Sequence, residues 1–208
     1  MKKIFKTVLK KDVYDHHFGG TDWITPICDN CNNHYHQILS LDLCDPRLSS
    51  IMGECDKQFP IVSCLNCSSC WDEQVYKINF EKKEVLFISN TDEWHICMDE
   101  DSRIDVPLLK QAVSLEEKNY DGEYYYNFLD DIGTDFFLSV LGEPCFLYHQ
   151  ANVNLKCPFC QKEMRYIATL CSDYNNIIKD INFNIGENML YFLFCSKCDI
   201  VKVLGQST

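Results

Sequence analysis

No apolar run in this 208-residue sequence is long enough to cross a bilayer. The longest, such as "FFLSVLG" and "MLYFLF", fall well short of the ~20 residues a spanning helix needs and read as buried strands. A secretory leader is not expected either, because "MKKIFKTVLKKDVYDHH" offers only broken apolar pairs before Lys10, Lys11 and Asp12. The Gly-rich phosphate loop, the nucleophile elbow and the His-Glu-x-x-His helix are all lacking, which removes the enzyme classes built on them. No Gly/Ser linker divides the chain, so one compact body is expected, made of two closely packed halves over residues 1–100 and 101–208. Cations are scarce: 19 Lys and Arg stand against 31 Asp and Glu, a formal charge of −12. That balance opposes binding to a phosphate backbone and favours a basic protein partner. The compartment expected from these absences is the cytoplasm, away from membranes, with the cysteines kept reduced.

What the sequence has in quantity is cysteine, 14 residues of it, within a chain that is 46% hydrophobic and 13% aromatic. Four Cys-x-x-Cys pairs stand out: Cys28/Cys31 in "CDNC", Cys64/Cys67 in "CLNC", Cys157/Cys160 in "CPFC" and Cys195/Cys198 in "CSKC". Thirty-two residues separate the first two pairs and 34 the last two, so the same device occurs twice. Each pair aims two sulfurs at one point, and two pairs supply the four-thiolate tetrahedron of a structural zinc site. Two structural zinc ions are therefore expected, one per half, in zinc-ribbon-like knuckles. A redox couple would need a single pair at a helix start after a strand, whereas "YFLFCSKC" arrives directly from an aromatic strand. In "CLNCSSC" the ligand register is either Cys64/Cys67 or Cys67/Cys70, and the apolar strand "FPIVS" before Cys64 favours the first. His34 and His36 lie just after "CDNC" and are candidates to replace a sulfur. With four thiols present, they read as hydrogen-bonded loop residues. Cys97, Cys145 and Cys171 read as small buried hydrophobes, and Cys44 and Cys55 as surface thiols beside a polar loop.

Aligning the halves exposes more than cysteines. Both "CDNC" and "CPFC" lead through a polar turn into an alternating segment ending at Leu41 or Leu170, the mark of a half-buried strand leaving the knuckle. A glycine-aromatic element precedes each, "FGGTDWI" from Phe18 and "LGEPCFLYHQ" from Leu141. Backbone geometry explains Gly19, Gly20 and Gly142, with Trp23 and Phe146 covering the chain. Between the halves, "VYKINFEKKEVLFIS" predicts a β-hairpin and "TDEWHICMDEDSRID" an exposed acidic loop. "PLLKQAVSLEEKNY" predicts a helix from Pro107, with Leu108, Leu109, Ala112, Val113 and Leu115 as its apolar stripe. Tyr124, Tyr125 and Tyr126 read as core aromatics. The resulting expectation is an α+β fold, rich in β, pseudo-duplicated around two zinc-ribbon-like four-cysteine knuckles.

"GGTDW", "LGEPCF" followed by Gln150, "CPFCQKEM" with its strand "RYIATL", and "YFLFCSKC" together resemble the bacterial YwqG-like proteins of unknown function. They are more distantly similar to the programmed cell death protein 2 family of eukaryotes. The resemblance covers the two cysteine halves, about half the chain, with Glu143 where the family pattern has a second glycine and Phe146 where it has tryptophan. It implies a duplicated, zinc-stabilised β domain and, from the eukaryotic relatives, a chaperone of a ribosomal protein. The function expected is a non-enzymatic protein-binding module, chaperone-like or immunity-type, that accepts a basic protein. The alternative of a nucleic-acid-binding zinc ribbon rests on a single basic cluster, Lys156, Lys162, Arg165, Lys197 and Lys202. A thiol-dependent enzyme would have to use Cys44 or Cys55, and the best polar cluster for any other enzyme is His16, His17 and Asp22.

Overall fold

The computed structural model describes residues 3–52, 57–68, 73–91, 103–118, 138–142, 144, 153–172 and 188–207. Its regular structure is almost wholly β. Eight strands form one sheet: β1 (Ile4–Val8), β5 (Glu73–Asn79), β6 (Glu84–Asn90), β8 (Ser114–Lys118), β9 (Leu138–Val140), β10 (Arg165–Leu170), β11 (Asn188–Cys195) and β12 (Ile200–Ser207). Their order is β6-β5-β12-β11-β10-β9-β1-β8. A smaller sheet holds β2 (His17–Phe18), β3 (His36–Asp42), β4 (Gln58–Ser63) and β7 (Gln111–Ala112), in the order β4-β3-β2-β7. All the named pairings are antiparallel.

The apolar content of each strand explains its place. "NMLYFLFC" is apolar almost throughout, and β11 is correspondingly buried on both faces in the middle of the large sheet. The β5–β6 hairpin turns at Glu81–Lys83, where Lys83 takes a φ of 49°, and β6 forms an edge with Leu86 and Ile88 partly exposed. The sheets meet through aromatic side chains. Phe59 on β4 lies edge-on to Phe194 on β11 with ring centroids 4.8 Å apart, and Phe80 closes the group on both. Phe59 and Phe194 are essentially fully buried, each contributing roughly 1.5–3 kcal/mol by leaving water.

The two sheets contain the same four-strand unit twice. β7-β2-β3-β4 corresponds to β1-β9-β10-β11: Phe18 pairs with Leu39 and Gln111 as Val140 pairs with Ala168 and Phe5. Each unit therefore borrows its outer strand from elsewhere in the chain. The N-terminal β1 serves the second unit, and β7, from mid-chain, serves the first. A buried charge cluster anchors the loop after β3, where a 3-10 turn (Pro46–Leu48) begins at Asp45. The His16 Nε2–H donates to Asp45 at 2.9 Å, and Arg47 bridges Asp45 and Asp12. Burial works against ionising the Asp45 carboxyl, but the hydrogen bonds from Arg47 outweigh it and hold the carboxyl below its ordinary range.

The helix expected from Pro107 is not formed. Residues 107–110 are irregular, followed by β7 and β8. Leu108, Val113 and Leu115 are buried as the apolar pattern suggests, whereas Leu109 and Ala112 face solvent. Pairing of β7 with β2 and of β8 with β1 gives this backbone its hydrogen bonds at long range, and that outweighs a helical periodicity shared by any short apolar run. Among the described residues no α-helix occurs, so the α part of the α+β expectation has no counterpart there and the fold is β-rich. Also among the described residues, no helix is long and apolar enough to cross a membrane. Tyr124, Tyr125, Tyr126, Glu143, Phe146, Gln150, Cys55, Cys70, Cys97, Cys145 and most of the acidic stretch lie outside the described residues.

Candidate metal centres

Each first knuckle is a tight loop closed by its own backbone. Cys28 N–H donates to Asn33 O and accepts, through its carbonyl, from Asn32 N–H, both at 2.8 Å. In the second half Cys157 N–H donates to Lys162 O at 2.8 Å and Gln161 N–H to Cys157 O at 2.9 Å. Asn32 and Gln161 take the same left-handed backbone, φ 60° and 59°. The loops continue alike, since Tyr35 N–H reaches Pro26 O as Met164 N–H reaches Leu155 O. The strand after each carries an irregularity at the same place, Gln37/Leu39 in β3 and Tyr166/Ala168 in β10. The skipped residues, Ile38 and Ile167, are fully buried. Their carbonyls accept from Gly19 N–H at 2.9 Å and Leu141 N–H at 2.7 Å, so the glycine-aromatic elements hold each knuckle strand from the side.

The second pairs arrive on strands. β4 delivers Cys64 and β11 ends at Cys195, and each pair closes a turn in which the later cysteine N–H faces the earlier carbonyl at 3.2 Å. The eight sulfurs gather into two groups, Cys28/Cys31/Cys64/Cys67 and Cys157/Cys160/Cys195/Cys198, with all four sulfurs of a group within 4.8 Å of one another. Cys31 Sγ to Cys64 Sγ is 3.6 Å, and Cys160 Sγ to Cys195 Sγ is also 3.6 Å. A tetrahedral zinc tetrathiolate with Zn–S near 2.3 Å has an S···S edge of about 3.8 Å, so both groups fit two metal ions of the zinc type. The register at the second pair is Cys64 with Cys67.

Four thiols at this distance cannot all ionise without a cation between them. In the first group, S–H donors on Cys64 and Cys67 hold Cys28 down to about 2, and the same contacts push Cys64 and Cys67 well up. In the second, a backbone N–H at Lys162 lowers Cys160 to about 7, while desolvation and its sulfur neighbours raise Cys198 to about 12. A divalent cation inverts this competition, making all four thiolates favourable at once. The first group is the more enclosed: Cys28, Cys64 and Cys67 are buried and Asn30 Nδ2 donates to Cys67 Sγ at 3.3 Å.

Neither neighbouring histidine joins the sulfurs. His34 is exposed and its Nδ1 lies against Thr25 O. His36 is buried. Its Nδ1 accepts from Leu65 N–H at 3.3 Å, so Nε2 carries the proton and donates to Ile104 O at 2.9 Å. Burial lowers its pKa. The buried Asn66 brackets the same residue, accepting from Ile104 N–H at 2.9 Å and donating to Ile104 O at 3.1 Å. Asn33 Nδ2 donates to Asp105 Oδ1 at 2.6 Å. The chain at Ile104–Asp105 is thus clipped across the first centre by three polar side chains. Sequence reading missed this support because its partners lie 38 to 72 residues apart.

The remaining candidates fall elsewhere. His17 Nε2 contacts Asp22 Oδ2 at 2.9 Å, and Lys110 pairs with the same carboxylate. His16 belongs to the Asp45 cluster, so "HHFGGTD" serves two separate structural networks. Cys44 is exposed and Cys171 buried. The five-residue basic cluster is not one surface, because Lys202 is buried against Glu73 and Asn154 O. Comparison of the chain with protein-family models, with curated proteins and with solved structures yields no match.

Proposed function

We propose that this protein is a non-enzymatic binding module in which two zinc ions staple a duplicated β body, and whose acidic exterior receives a basic protein. The observation that carries the reading is the donor set: each centre already has four protein sulfurs, which leaves a bound zinc no open position for water or substrate. Zinc in such a shell supplies folding energy, on the order of 10 kcal/mol per structural site, comparable to the net stability of a whole domain. The basic partner follows from the charge of −12, which raises the encounter rate with cationic surfaces. The resemblance to the programmed cell death protein 2 family adds a ribosomal protein as one candidate of that chemistry.

Native mass spectrometry of protein purified gently from its own source tests both parts. The expected species carries two zinc ions and a retained basic polypeptide. Zinc-loaded protein that keeps no basic partner at low salt overturns the partner assignment, and folded protein without metal overturns the staple.

A further inference from the structure

The internal duplication places three cations of the second unit opposite three hydrogen-bonding residues of the first. Counting from the knuckle cysteines, Lys162 corresponds to Asn33, Arg165 to His36 and Lys197 to Asn66. In the first unit those positions hold a stretch of chain, Ile104–Asp105, including a carboxylate on Asn33. In the second unit they line a cleft of about 1150 Å³. The Lys162, Arg165 and Lys197 side chains are exposed and make no hydrogen bond or ion pair with a described residue. The other two cations of the lining, Lys3 and Arg47, are paired with Glu117 and with Asp12 and Asp45.

We infer that this cleft is a docking site for a short acidic peptide segment of a partner, laid over the second centre as Ile104–Asp105 lies over the first. The first unit shows that this arrangement of knuckles and strand seats extended chain. Replacing Asn33, His36 and Asn66 by Lys162, Arg165 and Lys197 changes the chemistry of the occupant from backbone amides with one carboxylate, that of Asp105, to a segment carrying several carboxylates. The volume lies above the ~300–1000 Å³ usual for a single small ligand, and Met164, Tyr166 and Leu155 in the lining suit an apolar side chain between the acids. A nucleic-acid strand fits less well: the aromatic residues of the lining, Phe5, Tyr166 and Phe194, are all buried, so bases find no exposed ring there to stack on. The site is separate from the acidic exterior proposed to receive a basic protein, so either assignment stands or falls alone.

The test is fluorescence anisotropy of a labelled acetyl-Glu-Glu-Ile-Asp-Glu-Glu-amide peptide against the zinc-loaded full chain at low salt. The triple variant Lys162→Glu/Arg165→Glu/Lys197→Glu is expected to weaken binding about tenfold or more, because it sets like charges against the peptide. The control Lys10→Glu/Lys11→Glu/Lys82→Glu has the same net charge change and is expected to stay near the parent. Because the three cations also screen the thiolates, zinc content is measured on every variant, and Lys162→Met/Arg165→Met/Lys197→Met serves if the reversal loses metal. Equal weakening by the cleft and control triples overturns the site. So does binding of a 12-nucleotide oligouridylate, lost in the cleft triple, with no binding of the peptide.

Discussion

The two metal units share a backbone almost bond for bond and differ in what surrounds it. Between the second pair of cysteines of the first centre the residues are neutral and buried, Leu65 and Asn66 being fully enclosed, and a later segment of chain is fastened to Asn66. Around the second the equivalent positions are Ser196 and Lys197, both exposed. The same knuckle therefore acts in one unit as an interior girder and in the other as the wall of a cleft. A duplicated local geometry does not imply duplicated energetics, because a sulfur cage contributes in proportion to what is packed on it.

The largest test of that difference removes one centre at a time. Cys64→Ser/Cys67→Ser and Cys195→Ser/Cys198→Ser are each expected to reduce bound zinc from two to one by elemental analysis. The first should also abolish cooperative unfolding of its unit, since it removes both the metal energy, on the order of 10 kcal/mol, and the seat of the Ile104–Asp105 segment fastened over that centre. The second is expected to leave a cooperative, lower melting transition. Equal melting losses would show that the enclosure of the first centre adds nothing.

Glycine substitution gives the next contrast. Gly19 has φ 67°, and an added Cβ would lie 2.3 Å from the Leu109 carbonyl oxygen, whereas at Gly142, φ 87°, it would meet the Ile4 side chain at 2.9 Å. Both Gly→Ala changes carry a left-handed penalty of about 1–2 kcal/mol. Gly19→Ala adds a backbone clash that cannot rotate away, so chemical denaturation should find it the more destabilised of the two. Smaller still, Asn66→Ala strands the Ile104 amide, while the Ile104 carbonyl keeps the His36 Nε2–H donor, and is expected to cost about 1 kcal/mol, the low end for one stranded buried group. Lys197→Ala, at the matching position, is expected to stay within about 0.5 kcal/mol.

Acid should separate the centres most gently. Burial depresses the pKa of His36, so below about pH 6.5 the unfolded chain binds a proton that the folded one refuses. Stability is then present above that value and falls as the pH drops towards the depressed folded value. His36→Gln, measured by melting between pH 7 and 5, should flatten this slope, whereas Arg165→Gln at the matching position should not.

Much of this was legible in the residues. The four Cys-x-x-Cys pairs, their repeat, the strand leaving each knuckle, the β5–β6 hairpin and the positive-φ glycines all rest on interactions within a few residues, which spacing and residue type encode. The false helix after Pro107 marks the limit. Leu108, Val113 and Leu115 satisfy a helical stripe and a strand alternation about equally well, and only the free edges of β2 and β1 decide between them. The Asn66 and His36 clips were invisible for the same reason, each needing a partner brought close by the rest of the fold.

The amino-acid sequence by itself determined that eight thiols would form two four-sulfur cages on a duplicated β framework, because a Cys-x-x-Cys turn after a strand is a local structure. Tertiary structure alone decided that β1 and β7 each complete the other half's sheet, and that one cage is roofed by its own chain while the other borders a basic cleft. Those outcomes depend on hydrogen bonds and burial between segments far apart in the chain, whose meeting is settled only when the whole β framework closes.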